Sequence, residues 1–151
     1  MSVVLRQEIN ILDAILSAAG GASATSNEIV QLDTTQYNGA TYYFEIVADS
    51  TVSISFNVTL NGATDGTLAT CNVPLLTTAY TLIRSSSFTP TTATQGCTVV
   101  IDATAGATKN VKAARIVIIQ NAGTLTNTET QIEIGNASSI TSVIRVALTN
   151  P

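Results

Sequence analysis

The sequence predicts an all-β fold, an antiparallel β-sandwich of the jelly-roll type, preceded by one N-terminal amphipathic helix. Three observations carry this. Hydrophobicity alternates with period two from about Glu28 almost to the end, most clearly in Val52-Ser53-Ile54-Ser55-Phe56-Asn57-Val58-Thr59-Leu60, where even positions are apolar and odd ones polar. About nine such segments recur at short spacing, each bounded by Gly, Asn, Asp, Pro or Ser/Thr clusters. Only 11% of the 151 residues are charged while 25 are Thr, a β-branched residue that suits the solvent face of a pleated strand. A single domain of this length buries about two-thirds of its unfolded surface, enough for a core without metals or disulfides.

Residues 3–19 form the predicted helix. Leu5, Ile9, Leu12 and Leu16 recur at spacings of four, three and four; Ile11, Ile15 and Ala19 widen the stripe, and Arg6, Gln7, Asn10, Asp13 and Ser17 take the other face. Gly20-Gly21 ends it, since glycine accepts the left-handed cap without strain. The small polar residues that follow have no period and read as a tether. The expected organisation is a helical arm over 1–21, a flexible tether over 22–28 and a β jelly-roll domain over 29–151.

Within that domain strands are expected over 29–32, 41–48, 52–60, 68–73, 80–84, 98–103, 111–120, 130–134 and 142–148. Asn61-Gly62 and Asp65-Gly66 supply hairpin turn chemistry. Eight or more antiparallel strands at this size make a jelly roll the first choice of topology. An immunoglobulin-like sandwich ranks second, because there is no Trp to pack between sheets and Cys71 and Cys97 lie only 26 positions apart.

The composition excludes much chemistry. With no His there is no Ser-His-Asp or Cys-His machinery and no imidazole metal site, and no cofactor or metal is expected. Six scattered Lys and Arg in a chain of net charge −4 give no basic stripe for nucleic acid, and the apolar runs fall short of the ~18 residues a membrane span needs. Arg6, Glu8 and Asp13 interrupt what would be the apolar centre of a signal peptide, so the chain is expected to be made and assembled in a cytoplasm, or to be already cut. Cys71 and Cys97 share strand parity with apolar neighbours and read as buried small hydrophobes, a single cross-strand bridge being the alternative.

No catalytic residue is assigned. Asp33, Asp49 and Asp65 read as loop or turn residues and Glu129 and Glu133 as members of a late strand, with nothing pairing two carboxylates for glycoside hydrolysis. Glu45, between Phe44 and Ile46, and Arg115, inside the apolar run of 113–119, are the two charges expected to need a partner. A Glu45–Arg115 or Asp102–Arg115 contact would satisfy them. The functional alternative is that Arg115 grips a ligand carboxylate or a sugar. Tyr37 and Tyr43, in or near the one aromatic cluster, are the candidate glycan platform, against the plainer reading that such residues fill a core or cover an edge. The apolar stripe Leu5, Ile9, Leu12 and Leu16 is the candidate partner-docking surface, either folding back on its own sandwich or bundling with copies of itself.

The segments Arg84-Ser85-Ser86-Ser87-Phe88, Ala113-Ala114-Arg115-Ile116-Val117-Ile118-Ile119-Gln120 and Thr128-Glu129-Thr130-Gln131-Ile132-Glu133-Ile134-Gly135 look like β modules of phage-related and secreted bacterial proteins. The overall design resembles bacteriophage virion proteins of the decoration or cement type. That resemblance implies a non-enzymatic structural subunit, a dimer or trimer bracing a capsid lattice through its N-terminal arm and located in the virion. On this reading, removing residues 1–21 leaves the β domain folded and abolishes assembly. The rival expectations are a subunit of an extracellular appendage and a carbohydrate- or receptor-binding module of a tail fibre.

Overall fold

The alternation in the sequence is realised as ladders of antiparallel strands. The computed structural model describes residues 4–75 and 77–121, together with the backbone of two short strands, β11 (Glu129–Gln131) and β12 (Arg145–Ala147), which pair with each other. The strands before them are β1 (Val4–Asn10), β2 (Leu16–Ala18), β3 (Ala24–Thr25), β4 (Val30–Asp33), β5 (Thr41–Ser50), β6 (Phe56–Gly62), β7 (Gly66–Val73), β8 (Thr81–Arg84), β9 (Thr94–Ile101) and β10 (Lys109–Asn121). Two sheets result. One runs β1-β10-β5-β8 with β2 also on β10, and the other runs β3-β9-β6-β7 with β4 also on β9.

The pairing is nested. From the central β6–β7 hairpin outward, β5 pairs with β8, β4 with β9, and β1 with β10, all antiparallel and alternating between the two sheets. This is one long hairpin rolled on itself, the jelly-roll arrangement, which places strands distant in sequence side by side. The sheets share one core: Phe44, Ile46, Ala114, Ile116 and Ile118 from the first sheet meet Phe56, Val58, Leu60, Cys71, Val99 and Ile101 from the second. Each large side chain buried there contributes roughly 1.5–3 kcal/mol. Cys71 Sγ contacts the carbonyl of Phe44 in the facing sheet at 3.4 Å. Both cysteines are buried and unbonded, and burial raises Cys71 to about 12 and Cys97 to about 11.

The predicted N-terminal helix is not present. Residues 4–10 form an edge strand whose register runs from Val4↔Asn121 to Asn10↔Arg115. The segment fits both periods: Leu5, Ile9 and Leu12 lie at helical spacing, yet Leu5, Gln7 and Ile9 also alternate with Val4, Arg6, Glu8 and Asn10. An isolated helix this short is marginal in water, whereas the open edge of β10 offers a seven-residue ladder. Most of the docking stripe is taken up internally: Ile11 and Leu12 belong to the core and Ile9 and Leu16 pack against it, while Ile15 is exposed. Leu5 is half-buried on the same strand face as Ile9.

The expected tether is also built in. Ala24 and Thr25 pair with Ile101 and Val100, Ser26 N donates to Val99 O at 2.8 Å, and Ser26 Oγ accepts from Val99 N at 3.0 Å. Lys109, with no exposed surface, donates through Nζ to the carbonyls of Ala22 (3.0 Å), Asp102 (2.6 Å) and Thr104 (2.7 Å). Its ammonium pins this segment to the β9–β10 connection. One further difference lies at 52–54, where the alternation forms no ladder. Thr51 N donates to Thr108 O at 2.9 Å and Ser50 Oγ to Val52 O at 2.6 Å, turning the chain from one sheet to the other before β6 begins.

Candidate functional site

The outward face of the first sheet carries the chain's main charge cluster. On β5 the inward residues are Phe44 and Ile46, so Tyr43, Glu45 and Val47 project the other way. The ladder places Arg115 of β10 and Arg84 of β8 directly opposite Glu45 on either side. Asn10 and Glu8 of β1 stand beside Arg115 and Val117, and Arg6 stands beside Ile119. Three of the chain's six Lys and Arg thus converge on one sheet face.

Glu45 is 3% exposed although it faces outward, because the arginines cover it. Arg84 Nε donates to Oε1 at 2.8 Å, with Nη2 on the same oxygen; Arg115 Nε donates to Oε2 at 2.9 Å, and Arg6 Nη2 reaches Oε2 at 3.3 Å. Burial pushes the Glu45 carboxyl up, but the hydrogen bonds from Arg84 and Arg115 and the charges of Arg84 and Arg6 outweigh it and hold the group below its ordinary value. Glu8 is a second, exposed carboxylate. It accepts from Arg6 Nε at 3.1 Å and Nη2 at 2.6 Å, and its Oε2 lies 3.8 Å from Arg115 Nη1, beyond hydrogen-bond range.

The arginine heads remain accessible, with side chains 43% (Arg6), 40% (Arg84) and 30% (Arg115) exposed. Among the described residues, Arg84 Nη1 and both terminal nitrogens of Arg115 have no hydrogen-bond acceptor. The Arg84 guanidinium lies 4.9 Å over the Tyr43 ring, adding a stacked aromatic to the cluster. Val117, between Glu8 and Tyr43 in the ladder, is fully buried beneath this polar layer. At the far end of the same sheet, Lys112 Nζ lies 5.2 Å over the Tyr80 ring and Leu82 is exposed beside Val47.

The structure therefore brings Glu45 and Arg115 together, and not Asp102 and Arg115. Asp102 instead accepts from Asn57 N at 3.0 Å and Thr104 Oγ1 at 2.7 Å. Tyr37 and Tyr43 are not brought together. Tyr37 is half-buried against the core and sits near Tyr42, whose side chain points away from Tyr43's face. Arg6 and Arg84 are members of the cluster that sequence reasoning missed. The signal for Arg6 was its period-two parity with Glu8, hidden by the helical reading.

The described carboxylates elsewhere are mostly structural. Asp65 accepts from Thr91 N (2.7 Å), Thr92 N (3.1 Å) and Gln95 Nε2 (2.9 Å), and the Thr92 hydroxyl, with these donors, holds it far below the usual carboxylate range. Asp33 caps the 3-10 turn Thr34–Gln36, and Asp49 accepts from Asn110 Nδ2 at 2.9 Å. Asp13 stands near Glu28, which the sequence did not indicate, and raises its carboxyl. The side chains of Glu129 and Glu133 lie outside the described residues.

No protein-family model matches this sequence. No curated protein matches it either. Solved structures with a similar chain include the CBM36-1 domain of a multidomain xylanase from the hindgut metagenome of Trinervitermes trinervoides, at TM-score 0.47 and 14% identity over 77% of this chain and 96% of that one. A carbohydrate-binding module CBM36 in complex with calcium and xylotriose aligns at TM-score 0.48 and 11% identity, over 76% of this chain and 99% of that one. An arabinose-bound MgGH51 α-L-arabinofuranosidase aligns at TM-score 0.43 and 18% identity, over 78% of this chain and 23% of that one.

Proposed function

We propose that this chain is a non-catalytic glycan-binding module whose ligand face is the outward side of the β1-β10-β5-β8 sheet. A jelly roll serves capsid and lectin domains alike, so the scaffold does not choose between them and the site must. One observation carries the choice: Tyr43, Arg84, Arg115 and Arg6 are collected on one rigid sheet face with their outer edges accessible. Pairing Glu45 accounts for the inner nitrogens of these arginines and leaves terminal N–H groups directed at no protein acceptor among the described residues. Guanidinium N–H donors held on one plane, one of them stacked on an aromatic ring, are suited to the hydroxyl oxygens of a sugar. The capsid-bracing reading drew on an apolar helical arm, and of that stripe Leu12 lies in the core of the sandwich while Ile9 and Leu16 pack against it.

Affinity electrophoresis against a panel of neutral and acidic polysaccharides tests the proposal. Retardation of the wild type by at least one polysaccharide, lost in Tyr43→Ala and Arg84→Ala, is the expected result. Retardation that survives both changes but is lost in Tyr37→Ala would move the site elsewhere, and no retardation by any member would remove the proposal.

A further inference from the structure

We infer that the glycan recognised on this face carries carboxylates: it is a uronate-containing polysaccharide, an inference that rests on the glycan-binding reading above. The face holds three guanidinium groups and two carboxylates, one net positive charge, in a chain whose net charge is −4. Local charge of this sign in an acidic protein selects an anionic ligand by complementarity, since a neutral sugar gains nothing from the excess. The geometry narrows the anion. Glu45 takes Nε of both Arg84 and Arg115, which fixes the two planar forks from behind and leaves Arg84 Nη1 and Arg115 Nη1 and Nη2 for an incoming group. Paired N–H donors on a held plane match the two oxygens of a carboxylate. Because Glu45 already holds the heads in place, little side-chain freedom remains to be lost on binding.

Glu8 indicates what the incoming group resembles. It is an exposed carboxylate bound to Arg6 and standing 3.8 Å from Arg115 Nη1, close enough to attract and too far to hydrogen-bond. A ligand carboxylate entering here competes with Glu8 for Arg115 and Arg6. Removing the Glu8 charge therefore strengthens binding of an anionic glycan, whereas a purely structural ion network predicts no gain.

The test is isothermal titration of wild-type and Glu8→Gln proteins with polygalacturonate and alginate, each beside its esterified, uncharged form. Heparin serves as a sulfated control. The expected result is binding of at least one uronate polymer that weakens tenfold or more on esterification. It also falls as NaCl is raised from about 50 to 300 mM, through charge screening. In Glu8→Gln the same binding tightens by about two- to fivefold, the scale of one exposed ion pair. Equal binding of charged and esterified polymers, an unchanged affinity in Glu8→Gln, or binding of heparin alone overturns the carboxylate inference and leaves glycan binding standing. Failure of every glycan, charged or neutral, overturns both. Neither esterification nor Glu8→Gln touches the core, so a folding defect cannot stand in for a result.

Discussion

Glu45 faces away from the core on β5 and is nonetheless buried, because Arg115 Nε on the adjacent strand donates to its Oε2 at 2.9 Å, Arg6 reaches that same oxygen, and Arg84 closes over Oε1 from the other side. The pair is thus made at the surface and sealed by its own partners. Glu45→Gln should destabilise the protein by about 1–3 kcal/mol, because the arginines, being partly exposed, regain water in part. A double-mutant cycle with Arg115→Met should give a coupling of about 1 kcal/mol or more by urea denaturation. Strict additivity would mean that the contact contributes nothing.

Acid should reveal the same carboxylate. The native Glu45 carboxyl titrates below its ordinary 4.5, so its contribution is complete above that pH and is lost as pH falls through the lower native value. Asp33 and Asp65 are also lowered and act in the same direction. Stability measured between pH 7 and pH 3 should therefore decline in the wild type and decline less steeply in Glu45→Gln. Parallel curves for the two proteins would count against the assignment.

The N-terminal segment is predicted to be part of the fold. Ile11 and Leu12 are core residues, and β1 closes one edge of β10. Leu12→Ala should cost about 2–5 kcal/mol, and removal of residues 1–21 should take most of a domain's typical 5–15 kcal/mol. An unchanged melting temperature in either protein would restore the detachable arm.

Lys109 supplies a third stability test. Its ammonium satisfies three carbonyls at the crossing of the 22–25 segment with the β9–β10 connection. Lys109→Met should cost at least about 2 kcal/mol, since charged hydrogen bonds are lost and buried acceptors are left unmet. Native-state hydrogen exchange should rise at Ala24 and Thr25 before it rises at Val58.

Much of this was readable from the chain. Strands β5, β7 and β10 fall close to where period-two alternation put them, because a half-buried strand writes its two environments into successive residues. Two features were not readable. Over 4–10 a helical and a strand period coexist, and only the availability of the β10 edge, a fact of topology, decides between them. The need of Glu45 and Arg115 for a partner was visible as charges inside apolar runs. The convergence of Arg6 and Arg84 on the same carboxylate was not, since it depends on a nested pairing that joins residues 39 positions apart.

The central claim is that the outward face of the β1-β10-β5-β8 sheet is the ligand face, and nitrogen-15 NMR titration of the whole chain with oligogalacturonate and neutral oligosaccharides tests it most directly. The account predicts shifts concentrated at Arg6, Glu8, Tyr43, Arg84, Arg115 and Val117, with the β3-β9-β6-β7 sheet unmoved. Shifts confined to that second sheet or to the Asp65 hairpin, with Tyr43 and Arg84 unchanged, would contradict it.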